Sequence, residues 1–148
     1  MTKIIFDVDG TLMDIEHRRH LVNDGNNDWE AFQDPEVMAN DVPNLPVVAM
    51  AHALQVQDGV EIVVVSARNE RHRKVTTQQL VDAGIDFRHL FLREDDDFRS
   101  DEVFKQDVLD ALIAQDWEPD LVFDDRNRVV EMWRNNGIPC FQVAEGDF

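Results

Sequence analysis

Five short apolar runs recur along the chain: KIIF (3–6), EIVVVS (61–66), HLFL (89–92), DLVF (120–123) and PCFQV (139–143). Helix-patterned stretches separate them. NLPVVAMAHALQVQDG has Asn44 as a cap, Pro46 in the first turn and Gly59 past its end. Residues 69–83 read as a helix stopped by Gly84. SDEVFKQDVLDALIAQ places acidic residues in its first turn, where the helix dipole favours them. NRVVEMWRNNG is a helix closed by Gly137, with Val129, Val130, Met132 and Trp133 as core candidates. Strands this apolar are covered on both faces, so the sheet is parallel and the helices lie on either side. Right-handed crossovers then predict a doubly wound, Rossmann-like α/β fold with a five-stranded parallel sheet. Residues 13–45 fall outside the alternation. They are polar and rich in Asn and Asp, and include DWEAFQ, where Asp28 could cap a short helix carrying Trp29 and Phe32 inward.

In open α/β sheets, ligands bind beyond the carboxyl ends of the strands. A site would therefore show as polar side chains placed just after each apolar run. Asp7, Asp9 and Thr11 follow the first run, in IIFDVDGTL. Residues two apart on a strand project to one side, so Asp7 and Asp9 would emerge together. Two such carboxylates hold a cation or share a proton. Ser66 and Arg68 follow the second run, Arg93 the third, and Asp124 and Asp125 the fourth. Carboxylates converging with a hydroxyl and cations are the parts of metal-assisted phosphoryl transfer. Each element has a plainer reading alone: Asp-Gly as a turn, Asp-Asp as a helix cap, REDDDFR as a solvated charge run. Asp101 and Lys105, four apart on one helix, could be a surface salt bridge.

In order and spacing, DVDGT, VVVSAR, a helical lysine and FDD resemble the four motifs of the haloacid dehalogenase (HAD) superfamily of phosphatases. DDRNRVVEMWR and the ending FQVAEGDF resemble in particular the 3′-phosphatase domain of phage polynucleotide kinase-phosphatase. The resemblance covers nearly the whole chain and implies one HAD-type phosphatase domain over 1–148, with 13–45 as a small cap segment. It implies Asp7 as nucleophile through a phospho-aspartyl intermediate, and Asp9 as general acid and base. Lys105 would stabilise the nucleophile, with Asp101 fixing the lysine. Mg2+ would be held by Asp7, Asp9 (through its backbone carbonyl), Asp124 and Asp125. Thr11, Arg18, Ser66, Arg68 and Arg93 would serve the substrate phosphate. Arg18 is carried over because it follows Asp7 by eleven residues, with Arg19 one register away. SAR stands here where the phage domain has SGR, and the 13–45 segment differs in character. No G-x-x-x-x-G-K-[ST] loop occurs, so no kinase domain is expected.

Composition narrows the partners. With 14 Lys and Arg against 31 Asp and Glu, the net charge is −17, which opposes an extended nucleic-acid surface but allows a local basic pocket. No apolar run is of membrane-spanning length, and the N-terminal apolar stretch is too short for a signal peptide. One cysteine, Cys140, allows no internal disulfide, fits a reducing compartment and is expected to be inert. His17 and His20 have no companion ligands for zinc. The expectation is a cytoplasmic, magnesium-dependent phosphomonoesterase acting on 3′-phosphates of polynucleotide ends or nucleotides. The alternatives are a small-molecule phosphatase, a 5′-nucleotidase and a non-enzymatic binding module. The intact set Asp7, Asp9, Lys105 and Asp124 weighs against the last.

Overall fold

The computed structural model describes residues 1–148. In chain order its strands are β1 (Thr2–Phe6), β2 (Met13–Asp14), β3 (Val42–Pro43), β4 (Val60–Asn69), β5 (His89–Arg93), β6 (Leu121–Asp124) and β7 (Cys140–Gln142). The helices are α1 (Glu16–Arg19), α2 (Trp29–Phe32), α3 (Pro35–Met38), α4 (Leu45–Gln55), α5 (Arg73–Asp82), α6 (Asp101–Ile113) and α7 (Asn127–Asn135). Five strands form one parallel sheet in the order β5-β4-β1-β6-β7. The chain runs from β1 outward through β4 and β5, then returns to the other side of β1 for β6 and β7. The order thus reverses beside β1, and the ligand crevice of such a sheet opens there.

Strand alternation divides the interior in two. Ile4 and Phe6 of β1 join Ile62 and Val64 of β4 on the face covered by Val47, Val48 and Ala51 of α4 and Leu80 of α5. Ile5, Val63 and Val65 point the other way, against Phe104, Val108 and Leu109 of α6 and Val129, Val130 and Trp133 of α7. The two central strands therefore carry continuous apolar runs, Ile4–Phe6 and Ile62–Val65, because both of their faces are covered. No helix is long and apolar enough to cross a membrane. Cys140 is buried, and burial pushes its thiol up to about 12.

Two local expectations need correction. The helix expected from residue 69 begins later: β4 extends through Asn69, a 3-10 turn covers Glu70–His72, and α5 starts at Arg73. Asn69 and His72 close a capping box that sets this start, each side chain bonding the other's backbone. In the insert between β1 and α4, Asp28 does cap α2, accepting from Ala31 N–H at 3.0 Å. Trp29, however, turns outward and is 49% exposed. The insert also contains α1, α3 and the antiparallel pair β2–β3, elements too short to carry a periodic pattern.

The α6 face carries the second core. Leu109 is fully buried there, so Leu109→Ala should cost about 2–5 kcal/mol of stability through the cavity it leaves. Urea unfolding would read this as a lower midpoint with an unchanged slope.

Candidate active site

The first strand ends by folding back on itself. Met13 N–H bonds Val8 O at 2.9 Å and Leu12 N–H reaches Asp7 O at 3.4 Å, with Gly10 at φ +78 making the turn. A side chain at residue 10 would also collide: a Cβ there lies 2.1 Å from Asp125 Oδ2. Glycine thus supplies both the left-handed backbone and the room for Asp125. The turn brings Thr11 under Asp7, and its hydroxyl donates to Asp7 Oδ2 at 3.0 Å.

Lys105, on α6, is buried and aimed at the sheet edge. Its Nζ donates to Asp7 Oδ1 and to Asp124 Oδ2, both at 2.8 Å. Trp133 Nε1 donates to the same Asp124 oxygen at 3.2 Å, and Asp125 N–H donates to Asp124 Oδ1 at 2.9 Å. Burial opposes the lysine's charge, but Asp124 and Asp7 outweigh it and raise its pKa. Lys105 does not pair with Asp101. Asp101 instead accepts from Arg126 Nη1 at 2.7 Å and lies 3.5 Å from Arg93 Nη1.

One lysine faces three buried carboxylates. Oxygens of Asp7, Asp124 and Asp125 lie within 4.8 Å of one another. Burial and the Asp124 charge push Asp7 well above the usual carboxylate range and Asp125 up to about 6. Asp125 Oδ2 is buried and has no hydrogen-bond partner. Arg19 Nη2, at 3.7 Å, is its nearest cation. A cluster of all-oxygen donors, short of positive charge and with an orphaned oxygen, fits a hard divalent cation such as magnesium.

Asp9 belongs to a second network. Its Oδ1 accepts from Arg68 Nε at 2.9 Å, Arg68 Nη2 at 2.7 Å and Arg18 Nη2 at 3.0 Å. Burial works to raise its pKa, but the guanidiniums of Arg68 and Arg18 hold it below the ordinary value. Sequence reasoning missed the residue on the far side of the two arginines. Asp41 is buried and accepts from Arg18 Nε at 2.8 Å, Arg18 Nη2 at 2.7 Å and Arg68 Nη2 at 2.8 Å. His17 Nε2 lies 2.6 Å from the same carboxylate. Arg18 Nη1 donates to Phe32 O at 3.1 Å, and Arg68 Nη1 donates to Thr76 and Gln79. The Arg68 guanidinium is therefore fully occupied by protein acceptors, and the Arg18 guanidinium is so except for one Nη1–H. No spacing marked Asp41; the only clue was that two buried arginines need more than one carboxylate.

Asp7, Asp9, Ser66, Arg93, Asp101, Lys105, Asp124 and Asp125 all line one cavity of about 590 Å3, with Arg18 and Arg68 in its wall. Thr11 stands behind Asp7. Ser66 Oγ accepts from Arg68 N–H at 3.2 Å and donates to no protein group. Arg93 donates to Arg99 O at 2.8 Å, while its buried Nε has no partner. Arg19, Arg126 and Arg128, not foreseen from the sequence, complete the basic lining.

The family model for the polynucleotide kinase PNKP phosphatase domain matches residues 1–148. Among solved structures, a chain of the Pnkp1/Rnl/Hen1 complex is 31% identical, with a TM-score of 0.81 over all of this chain and 48% of that one. A chain of the Pnkp1/Rnl/Hen1 RNA repair complex is also 31% identical, with a TM-score of 0.80 over all of this chain and 44% of its own length. The chain thus spans less than half of the structures it matches.

Removing Asp41 would leave two buried guanidiniums with too few acceptors. Asp41→Ala should destabilise the fold by about 3–5 kcal/mol in chemical denaturation. Asp41→Asn keeps the shape and an acceptor oxygen and should lose less.

Proposed function

The chain belongs to the family of polynucleotide kinase PNKP phosphatase domains and is a HAD-type phosphatase, and from that premise we propose that it is a magnesium-dependent polynucleotide 3′-phosphatase working through an aspartyl-phosphate. The observation that carries the chemistry is Lys105, held 2.8 Å from both Asp7 and Asp124, beside the orphaned oxygen of Asp125. A carboxylate so placed is oriented and short of a cation.

Asp7 is the nucleophile: one carboxylate oxygen attacks phosphorus and the ester P–O bond breaks. Thr11 and Lys105 hold the Asp7 carboxylate in position. Asp9 gives its proton to the leaving alkoxide, then takes one from the water that attacks the aspartyl-phosphate, releasing inorganic phosphate and restoring Asp7. Arg18 and Arg68 bind only Oδ1 of Asp9, so its second oxygen remains for proton transfer. A phosphate arriving beside Asp9 brings negative charge that opposes the arginines and favours the protonated acid. Asp7, Asp124 and Asp125 would hold the magnesium ion, with the Asp9 carbonyl. When bound, the ion supplies positive charge to the attacking carboxylate and the phosphoryl oxygens. Ser66, with an uncommitted hydroxyl proton, and Arg93, with a free Nε–H, are the donors for the phosphoryl oxygens. Arg18 and Arg68 act through Asp9, because nearly all of their own donors are engaged by the protein. Asp101 holds the Arg126 and Arg93 side chains at the rim.

Activity should disappear in chelator after exhaustive metal removal and return with magnesium; full turnover without metal would remove the cation from the site. Asp7→Asn should abolish the labelled phosphoenzyme. Asp9→Asn should slow alkyl phosphates by about 10²–10⁴ and an activated aryl phosphate much less in its first step. For the substrate, kcat/KM across a length series of 3′- and 5′-phosphorylated oligonucleotides decides. The 3′-phosphates should be preferred, and short ones turned over about as well as long ones with weak salt dependence, since few backbone phosphates are neutralised. A 5′ preference, or activity confined to a non-nucleotide metabolite, would overturn the polynucleotide assignment.

A further inference from the structure

Four aromatic rings of the protein are exposed: Trp29, Phe98, Phe141 and Phe148. Three of the four line the catalytic cavity, and only Phe141 lies elsewhere. Single exposed apolar residues need no explanation, but three rings at one cavity mouth form a patch. The charge there is equally uneven. Seven of the fourteen Lys and Arg line this cavity, against five of the thirty-one Asp and Glu.

The three rings differ in what they can offer. Phe148 is covered by cations: the guanidiniums of Arg19 and Arg126 lie 4.7 and 5.2 Å from its ring centre. Phe98 is 89% exposed, yet its loop is fastened on either side. Arg99 Nε and Nη2 bind the Asp97 carboxylate at 2.9 Å, Arg99 Nη2 also reaches Asp107 at 2.8 Å, and Arg93 donates to Arg99 O at 2.8 Å. The backbone is thus fixed while the ring stands in solvent. Trp29 is fixed by other means. Its Nε1 donates to Asn27 Oδ1 at 2.6 Å, and its ring meets Phe32 edge-on at 5.6 Å. Phe32 in turn lies under the guanidinium of Arg18, which binds Asp9. Trp29 is therefore tied to the Asp9 carboxylate through two intervening residues, Phe32 and Arg18.

We propose that Phe98 and Trp29 are stacking platforms for unpaired nucleobases, so that the protein recognises the terminal nucleotides of a single-stranded 3′-phosphorylated end by their rings. This rests on the polynucleotide assignment above and adds the residues that carry it. Exposed rings on a held backbone beside a basic cavity suit bases whose attached phosphate is the reacting group. Stacking tolerates any base, because each has a π-face, so sequence preference is weak. It also supplies affinity without a row of phosphate contacts, which a surface of net charge −17 could not provide.

The test is a double-mutant cycle between each ring and each base. The substrates are short 3′-phosphorylated oligonucleotides with natural residues, or with an abasic residue at the last or the penultimate position. In the wild type, one of these deletions should lower kcat/KM on the order of tenfold. In Phe98→Ala or Trp29→Ala, deletion of the base that stacks on that ring should cost little more, on the order of twofold or less. Phe98→Trp should restore the sensitivity. Phe98 packs against little, so its variants should keep the wild-type circular dichroism and melting. If the wild type hydrolyses natural and abasic substrates equally, or if the variants keep the full penalty for both deletions, the platform falls and the 3′-phosphatase stands. If the wild type turns over no oligonucleotide but still hydrolyses an aryl phosphate, the polynucleotide assignment falls, and the platform with it.

Discussion

The contact on which the site depends is the bridge from Lys105 to Asp7 and Asp124. It joins the ends of β1 and β6 to α6 across the point where strand order reverses. Two carboxylates from adjacent parallel strands would repel in a buried space, and burial already disfavours their charge. A lysine between them makes the closed crevice possible. It does not neutralise it, since Asp125 remains without a partner. The excess charge is the signature of a site completed by a ligand. Burial that costs stability in the empty protein strengthens every electrostatic contact to an incoming phosphoryl group.

A second network ties the insert to the same edge. Asp41 lies on the insert, Arg68 ends β4 and Asp9 follows β1, and Arg18 reaches both carboxylates. The insert therefore cannot move without disturbing the groups that hold Asp9. Arg18 also carries Phe32 on its face and donates to the Phe32 carbonyl, so the outer wall of the cavity is built on a buried cation. Coupling the wall to Asp9, the proposed proton-transfer residue, is a physical route by which substrate contact at the rim could reach the chemistry. Asp41, Arg18 and Arg68 would transmit it.

The sheet was legible in the sequence for one reason: a parallel strand covered on both faces carries an unbroken apolar run, as Ile4–Phe6 and Ile62–Val65 do. The strand-end residues followed from topology, because Asp7, Ser66, Arg93 and Asp124 could go nowhere but one edge. The insert was opaque. Its helices have four residues each and carry no period, and Trp29 was expected inside because apolar side chains usually are. Spacing suggested that Asp101 pairs with Lys105, but the deeper carboxylates of Asp7 and Asp124 hold the lysine, and Asp101 turns to Arg126. Arg18 and Arg19 looked alike as neighbours in EHRRH. Burial separates them: Arg18 is closed into the Asp9–Asp41 network, while Arg19 stays at the rim near Asp125 and Phe148. Asp41 had no signal of its own, since its partners are distant in the chain.

The acidic exterior and the basic cavity act over different distances. At physiological ionic strength, exposed charges are screened beyond roughly 8 Å. The net charge of −17 therefore acts as repulsion near the outer surface, spread over many Asp and Glu. Inside the cavity the arginines and Lys105 face low-dielectric walls and are screened far less. A phosphate that threads in at the tip of a chain meets attraction, whereas one carried along the flank of a long polyanion meets the exterior. On the polynucleotide substrate proposed above, the two fields together would discriminate by position along a chain rather than by its sequence. Such selection for ends would need no contact beyond the last residues, and it would leave the rings at the rim as the part of the surface to hold them.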